Sequence, residues 1–359
     1  MFASINAEFN DASYPIIISN NSIDSLGIYL SEINKKNIVL VIDNKFNNQN
    51  IHPSNNFTKI ISKYNKLFIN AGVKSKSLSQ LKKILKFLSD INLTRDSYIV
   101  AIGGGVTGDI VGLAASLYLR GTKLVHVPTS ATGMLDSSIG GKTGINIFEK
   151  VNMIGTYLHP SMVFIDTRFL YTLNKRDLSA GIAESIKKSI ISDINFYDYL
   201  NDSYKKILNL EYESIFNLIK KSIEIKLMHT KQDVFEKSKR LFLNYGHTFG
   251  QAIESYYGIN QNSIRHGEAV SLGCICASNM ACYLDKKVNK KIIDQHKIIF
   301  SKFNLPVHFN DFTNLKKPNS NKLFQLIDND KKKIIKGNRF IICDNIGEAK
   351  VVITNNKKI

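Results

Sequence analysis

The stretch Ser97-Tyr98-Ile99-Val100-Ala101-Ile102-Gly103-Gly104-Gly105-Val106-Thr107-Gly108-Asp109 decides the fold. A short run rich in β-branched residues enters a turn of glycines, and an apolar helical segment, 110–119, leaves it. Strand, turn and helix in that order place G-x-G-x-x-G on Gly103, Gly105 and Gly108. Glycine lets the backbone close on a pyrophosphate, and a helix N-terminus favours the negative charge. A purely structural tight turn uses the same spacing, so by itself the motif reads either way. The common dinucleotide fingerprint also places an acidic residue after a strand about twenty positions on. None stands there, and Asp43 or Asp109 is the alternative partner for a ribose. The turn therefore points to a dinucleotide held outside the usual Rossmann arrangement.

Working outward, Ile38–Ile42, Lys123–Pro128 and Met162–Asp166 read as further buried strands. Leu78, Leu81, Ile84, Leu85 and Leu88 recur at helical spacing between two of them. Alternating β and α segments predict a mainly parallel sheet with crossover helices. Beyond Asp166 the pattern changes: 177–191, 195–230, 241–257 and 265–285 read as helices, with strand signals returning only at 340–342 and 351–353. The expected fold class is α/β, a Rossmann-like nucleotide-binding α/β domain over residues 1–170 followed by a mostly α-helical metal-binding domain over 171–359. A cleft between such domains is a common ligand site.

Composition narrows the function. With 43% hydrophobic and 22% charged residues in 359, the chain is of ordinary globular type. No apolar run approaches the ~20 residues of a membrane helix, and residues 1–6 lack the basic and apolar regions of a signal peptide. A cytoplasmic protein with no membrane partner is expected. The net charge of +18 could mark a nucleic-acid binder, but the lysines are dispersed and no stripe interleaves Arg with aromatics. Lys, Asn and Ile are all abundant, as A/T-rich codons produce, so no nucleic-acid partner is expected. Cys274, Cys276, Cys282 and Cys343 show neither a CxxC pair nor zinc-finger spacing.

Three segments carry candidate chemistry. Glu184 and Lys187 are three apart on a helical stretch and share a face. Asn244-Tyr245-Gly246-His247 and Arg265-His266-Gly267-Glu268 each open a further helix-like segment. One Glu and two His make an open zinc-type site with a fourth position for substrate, or equally a surface carboxylate with two capping histidines. The turn Gly140-Gly141-Lys142-Thr143-Gly144 is not a phosphate-binding P-loop, because Asp136 stands where that motif needs glycine.

Six ordered segments together resemble the 3-dehydroquinate synthase family: GGGVTGDIVG (103–112), RGTKLVHVPTSATGMLDSSIGGKTGIN (120–146), NMIG (152–155), DTRFLYTLNKRDLSAGIAESIKK (166–188), LNYGHTFG (243–250) and RHGEAVSLG (265–273). The resemblance implies a homodimeric enzyme using NAD+ and one divalent metal, Zn2+ or Co2+. It would convert 3-deoxy-D-arabino-heptulosonate 7-phosphate into 3-dehydroquinate and phosphate. The implied steps are transient oxidation, phosphate elimination, re-reduction and intramolecular aldol closure, with no net redox change. Implied metal ligands are Glu184, His247 and His266. Implied NAD contacts are Asp43, Lys76, Gly104, Gly105, Val106, Thr107, Gly108, Asp109, Thr129, Ser130, Lys142, Phe169, Leu170, Tyr171 and Thr172. Implied substrate contacts are Asp136, Lys142, Asn152, Lys187, Lys226, Arg240 and Asn244, with Arg120 and one lysine of 331–333, taken as Lys331, binding phosphate.

Three departures from the family pattern stand out. Gln251 replaces the second His of GHTFGHAIE; it can hydrogen-bond but not shuttle a proton. Val73 replaces a carboxylate expected near NAD, and Val151 a substrate-side lysine. An enzyme of reduced activity is expected. The alternatives are a metal-dependent polyol dehydrogenase, another sugar-phosphate cyclase, and a degenerate non-catalytic homologue.

Overall fold

The computed structural model describes residues 1–148, 150–257, 264–312, 315–328 and 338–354. They form two units, 1–174 with 212–223, and 175–211 with 224–359. The first carries β1 (Phe2–Glu8), β2 (Ser13–Ser19), α1 (Ser22–Ser31), β3 (Ile38–Asp43), α2 (Asn55–Lys63), β4 (Asn65–Ile69), α3 (Leu78–Asp90), β5 (Tyr98–Gly103), α4 (Gly105–Leu117), β6 (Lys123–Pro128), β7 (Ile145–Ile147), β8 (Lys150–Ile154) and β9 (Met162–Asp166).

A seven-stranded sheet runs in the order β1-β2-β9-β6-β5-β3-β4. Only β1 runs antiparallel to its neighbour β2; the other pairs are parallel. Every residue of β3 is buried, as expected for a strand covered on both faces. On one face Val39, Val41, Ile99 and Ala101 share a core with Ile84 and Leu88 of α3 and Ile110 and Val111 of α4. The chain steps from β3 out to β4, then returns to β5 on the other side of β3. That reversal makes the carboxyl ends of β3 and β5 the switch point where open α/β sheets bind ligands. Asp43 ends β3 and the glycine turn follows β5.

The second unit contains α5 (Lys175–Ser192), α6 (Ile194–Leu208), the end of α7 (Tyr212–Thr230), α8 (His247–Tyr257), α9 (His266–Leu284), α10 (Lys291–Lys302), α11 (Ser320–Asp328), and a hairpin of β10 (Asn338–Asn345) with β11 (Glu348–Thr354). Helix α5 is buried without interruption from Leu178 to Ile191, so its polar residues Glu184, Lys187 and Lys188 lie inside. It closes tightly on α9, because a side chain at Gly267 would place Cβ 1.8 Å from the Ala180 carbonyl oxygen.

Several boundaries differ from the sequence expectation. Helix α4 begins at Gly105, inside the glycine motif, rather than at 110. The expected helix 195–230 is two helices, broken at Asn209–Glu211, with Leu210 at φ 58°. Residues 239–244 form a 3-10 turn, and the α-helix expected from 241 begins only at His247. Strands β1, β2, β4, β7 and β8 lie outside the sequence expectation. The edge strand β1 is largely exposed and therefore lacks the continuous apolar run that marks the central strands.

Candidate active site

The glycine turn is shaped for close approach. Helix α4 starts at Gly105, and its N-cap Gly104 makes no side-chain capping bond. A Cβ on Gly104 would lie 3.1 Å from Ser130 Oγ, and one on Gly105 2.8 Å from Ser137 Oγ. The amide N–H groups of a first helical turn have no partner within the helix, so this bare N-terminus presents donors to an anion. Thr107 Oγ1 is buried in the same turn and makes no hydrogen bond among the described residues. These features fit a pyrophosphate-bearing ligand.

Neighbouring candidates of the same unit gather at strand ends. Thr129 follows β6 and donates its amide to the Gly103 carbonyl at 2.9 Å. Ser130 Oγ accepts the Gly133 amide at 3.1 Å. Asp43 is nearly buried, and burial pushes its carboxyl above the usual range against the opposing Lys45 amide and charge. Lys45 Nζ donates to the Thr172 carbonyl at 2.7 Å and to its hydroxyl at 2.9 Å, tying the end of β3 to the 167–172 turn that follows β9. Phe169 and Leu170 are core residues, whereas Tyr171 is exposed. Lys76 is buried and its ammonium donates to both Asp109 and Asn152. It thereby joins the glycine-turn helix to the β7–β8 hairpin.

In the second unit, Glu184, His247 and His266 each offer a ligand atom, all within 4.8 Å of one another. Glu184 Oε1 lies 3.2 Å from His266 Nε2 and 3.6 Å from His247 Nε2. Each histidine is the first residue of its helix, α8 or α9. The turn into α8 needs Gly246, whose φ is 73°. His247 Nδ1 lies 3.2 Å from the Tyr245 carbonyl, which can only accept, so Nδ1 donates and Nε2 is the ring nitrogen turned toward Glu184. One carboxylate and two imidazoles suit a borderline cation such as Zn2+ or Co2+. Lys187 Nζ donates to Glu184 Oε2 at 2.5 Å, with both side chains buried. Burial opposes charging of His266, but the carboxylates of Glu254 and Glu184 outweigh it and push its pKa up to about 10.

The remaining positions divide. Lys226 and Arg240 are buried. Arg240 donates to the Val234 carbonyl at 2.7 Å, and Asn244 donates to Glu236. Asp233 organises that segment by accepting the amides of Lys237, Ser238 and Arg240 at 2.7, 2.7 and 2.9 Å. Gln251 sits one turn beyond His247 on α8. In the first unit, Asp136 lies in the turn Gly133–Ser137 and Lys142 is exposed beside Tyr157. Arg120 is exposed at a turn where Leu119, Arg120 and Gly121 all have positive φ. Lys331 lies outside the described residues.

Sequence reading missed Glu236, Asp233, Lys45 and Glu254. Glu254 alone left a local signal, since it lies seven residues, two helical turns, from His247. It also missed the network that docks the start of α9 on α5. Arg176 grips Glu268 through two bonds of 2.5 and 2.8 Å, and Arg265 Nε reaches Asp177 at 2.7 Å. The four cysteines are free, and burial raises their thiols, that of Cys276 to about 11, so they remain protonated.

A glycine turn at the switch point of a parallel sheet, with a Glu/His/His centre in a helical unit, defines a class of metal-dependent, dinucleotide-linked enzymes. The family description "3-dehydroquinate synthase N-terminal" matches residues 66–180 and "3-dehydroquinate synthase C-terminal" matches 181–333. The chain belongs to the 3-dehydroquinate synthase family and is an enzyme of that kind. It is 36% identical to the 3-dehydroquinate synthase of Buchnera aphidicola subsp. Cinara cedri over 100% of this chain and 96% of that protein. It is 34% identical to the one from Thermoanaerobacter pseudethanolicus over 99% and 98%. A 2-deoxy-scyllo-inosose synthase solved with carbaglucose-6-phosphate, NAD+ and Co2+ shares the fold, with a TM-score of 0.84 and 23% identity over 99% of this chain and 97% of that one. Among the described residues no helix is long and apolar enough to cross a membrane.

Proposed function

We propose that the chain converts 3-deoxy-D-arabino-heptulosonate 7-phosphate into 3-dehydroquinate and phosphate, using NAD+ and one Zn2+ or Co2+, as a cytoplasmic homodimer. The observation that carries this reading is the convergence of Glu184, His247 and His266 in a chain whose full length aligns with 3-dehydroquinate synthases. The NAD+ and Co2+ of the inosose synthase structure support the choice of cofactors.

When bound, NAD+ accepts and returns a hydride, and the divalent metal supplies Lewis-acid polarisation of a substrate oxygen. Glu184, His247 and His266 would hold the metal. The turn Gly104–Asp109, with Asp43, Lys76, Thr129, Ser130 and 169–172, would hold the nucleotide. Lys187, Lys226, Arg240 and Asn244 serve the anionic substrate, where charge-assisted hydrogen bonds orient phosphate and carboxylate. Burial of Lys187, Lys226 and Arg240 favours such fixed positions over mobile surface cations. Gln251 can hydrogen-bond but cannot shuttle a proton as a histidine would, so the chain works at a reduced rate.

The test is phosphate release from 3-deoxy-D-arabino-heptulosonate 7-phosphate by the purified chain supplied with NAD+. A chelator is expected to abolish release, and added Zn2+ or Co2+ to restore it. Release that survives complete metal removal, or no release from folded protein that binds both cofactors, would overturn the proposal.

A further inference from the structure

Glu254 belongs to no ligand set, yet its carboxylate brackets one imidazole of the triad. His266 Nδ1 lies 3.1 Å from Glu254 Oε1 and 3.2 Å from Oε2, while Nε2 of the same ring points at Glu184 Oε1 from 3.2 Å. A carboxylate on Nδ1 holds that proton in place, turns the ring, and leaves Nε2 as the only nitrogen free to bind a metal. The two histidines are thus steered alike but by unequal groups. His247 leans on a neutral backbone carbonyl, whereas His266 leans on a carboxylate that makes the ring a stronger donor. The need is also unequal. His247 is held by its own turn, with Gly246 packed on Cys274. The His266 side chain is 39% exposed against 13% for His247, so packing constrains its ring less.

We infer that Glu254 is a positioning residue of the metal centre, fixing the orientation and Nδ1–H tautomer of His266 so that Nε2 faces Glu184. The inference rests on the metal-centre reading above and extends it to a residue outside the Glu184, His247 and His266 triad. Because α8 carries both His247 and Glu254, this one helix supplies one ligand and orients another.

The experiment measures metal affinity rather than turnover. The whole chain is stripped of metal, and Zn2+ is titrated against a chromophoric chelator across pH, so that the intrinsic affinity is separated from proton competition at His266. The wild type is compared with Glu254→Gln, which keeps an acceptor of nearly the same shape, and with Glu254→Ala, which does not. Loss of an outer carboxylate costs about 10–100-fold in affinity. The expected order is therefore wild type, then Gln, then Ala weakest, with the Co2+ absorption bands of Ala shifted or broadened as the ring loosens. If the Ala variant fails to fold, the isosteric Gln variant still decides, by an affinity loss of about tenfold or more. Wild-type affinity and unchanged Co2+ bands in the variants would overturn the inference while leaving the metal centre standing. A wild type that binds no divalent metal would overturn both.

Discussion

Metal uptake should displace a proton, and the geometry says which. His266 makes two hydrogen bonds to carboxylates, Nδ1 to Glu254 and Nε2 to Glu184. A ring with acceptors at both nitrogens is favoured as the doubly protonated cation. Its pKa is pushed up to about 10 from an ordinary 6.5. At pH 8 such a group is about 99% protonated, whereas an ordinary histidine is about 3% protonated. Coordination needs the Nε2 lone pair, so binding expels that proton. Release of about one proton from His266 per metal bound is expected at pH 8, with an affinity that rises about tenfold per pH unit from pH 7 to 9. Titration calorimetry in buffers of different ionisation enthalpy reads the first, and chelator competition across pH reads the second. Heats independent of buffer, with an affinity flat over this range, would refute the reasoning. Stability of the metal-free fold follows the same sign. The raised pKa makes a contribution fully present below about pH 6.5 and lost as pH rises through about 10. Alkali should therefore destabilise the stripped protein more than the loaded one, as thermal melts at pH 7 and pH 10 would record.

Other positions give sharper local tests. Gln251→His should raise kcat by roughly 10²-fold; an unchanged kcat would mean that substrate phosphate takes the proton itself. Gly105→Ala would place a Cβ 2.8 Å from Ser137 Oγ, crowding the turn, and should weaken NAD+ binding, read by fluorescence titration. Wild-type NAD+ affinity there would remove the turn from the nucleotide site. Gly267→Ala would drive a Cβ to 1.8 Å from the Ala180 carbonyl oxygen, forcing α5 from α9. The expected cost is at least about 1–3 kcal/mol of stability, with weakened metal binding in the same titrations, and an unaltered melt would contradict the packing described.

What the sequence reveals follows how locally each feature is encoded. Strands β3, β5, β6 and β9 are legible because burial on both faces demands continuous apolar runs such as Ile38–Ile42. Helix α3 is legible because Leu81, Ile84 and Leu88 repeat at its period. Edge strand β1 is hidden by its exposure, and the α6–α7 break by the absence of glycine or proline at Asn209–Glu211. Within the site, helix openings flag His247 and His266, and spacing relates Glu184 to Lys187. Spacing cannot bring Glu184 to residues 63 and 82 positions away, and here the family resemblance supplied the expectation. The grip of Arg176 on Glu268 and the bridge from Lys76 to Asn152 are tertiary facts with no pattern along the chain.

The proposed reaction is a closed redox cycle, in which the hydride taken by NAD+ would be given back before product leaves. The most direct measurement supplies NAD+ in amounts equal to the enzyme and a large excess of 3-deoxy-D-arabino-heptulosonate 7-phosphate, following phosphate and absorbance at ~340 nm, the NADH band. Phosphate is expected to far exceed the NAD+ supplied, with no accumulation of NADH. Phosphate release that halts at one equivalent of NAD+, with NADH formed in step, would contradict it.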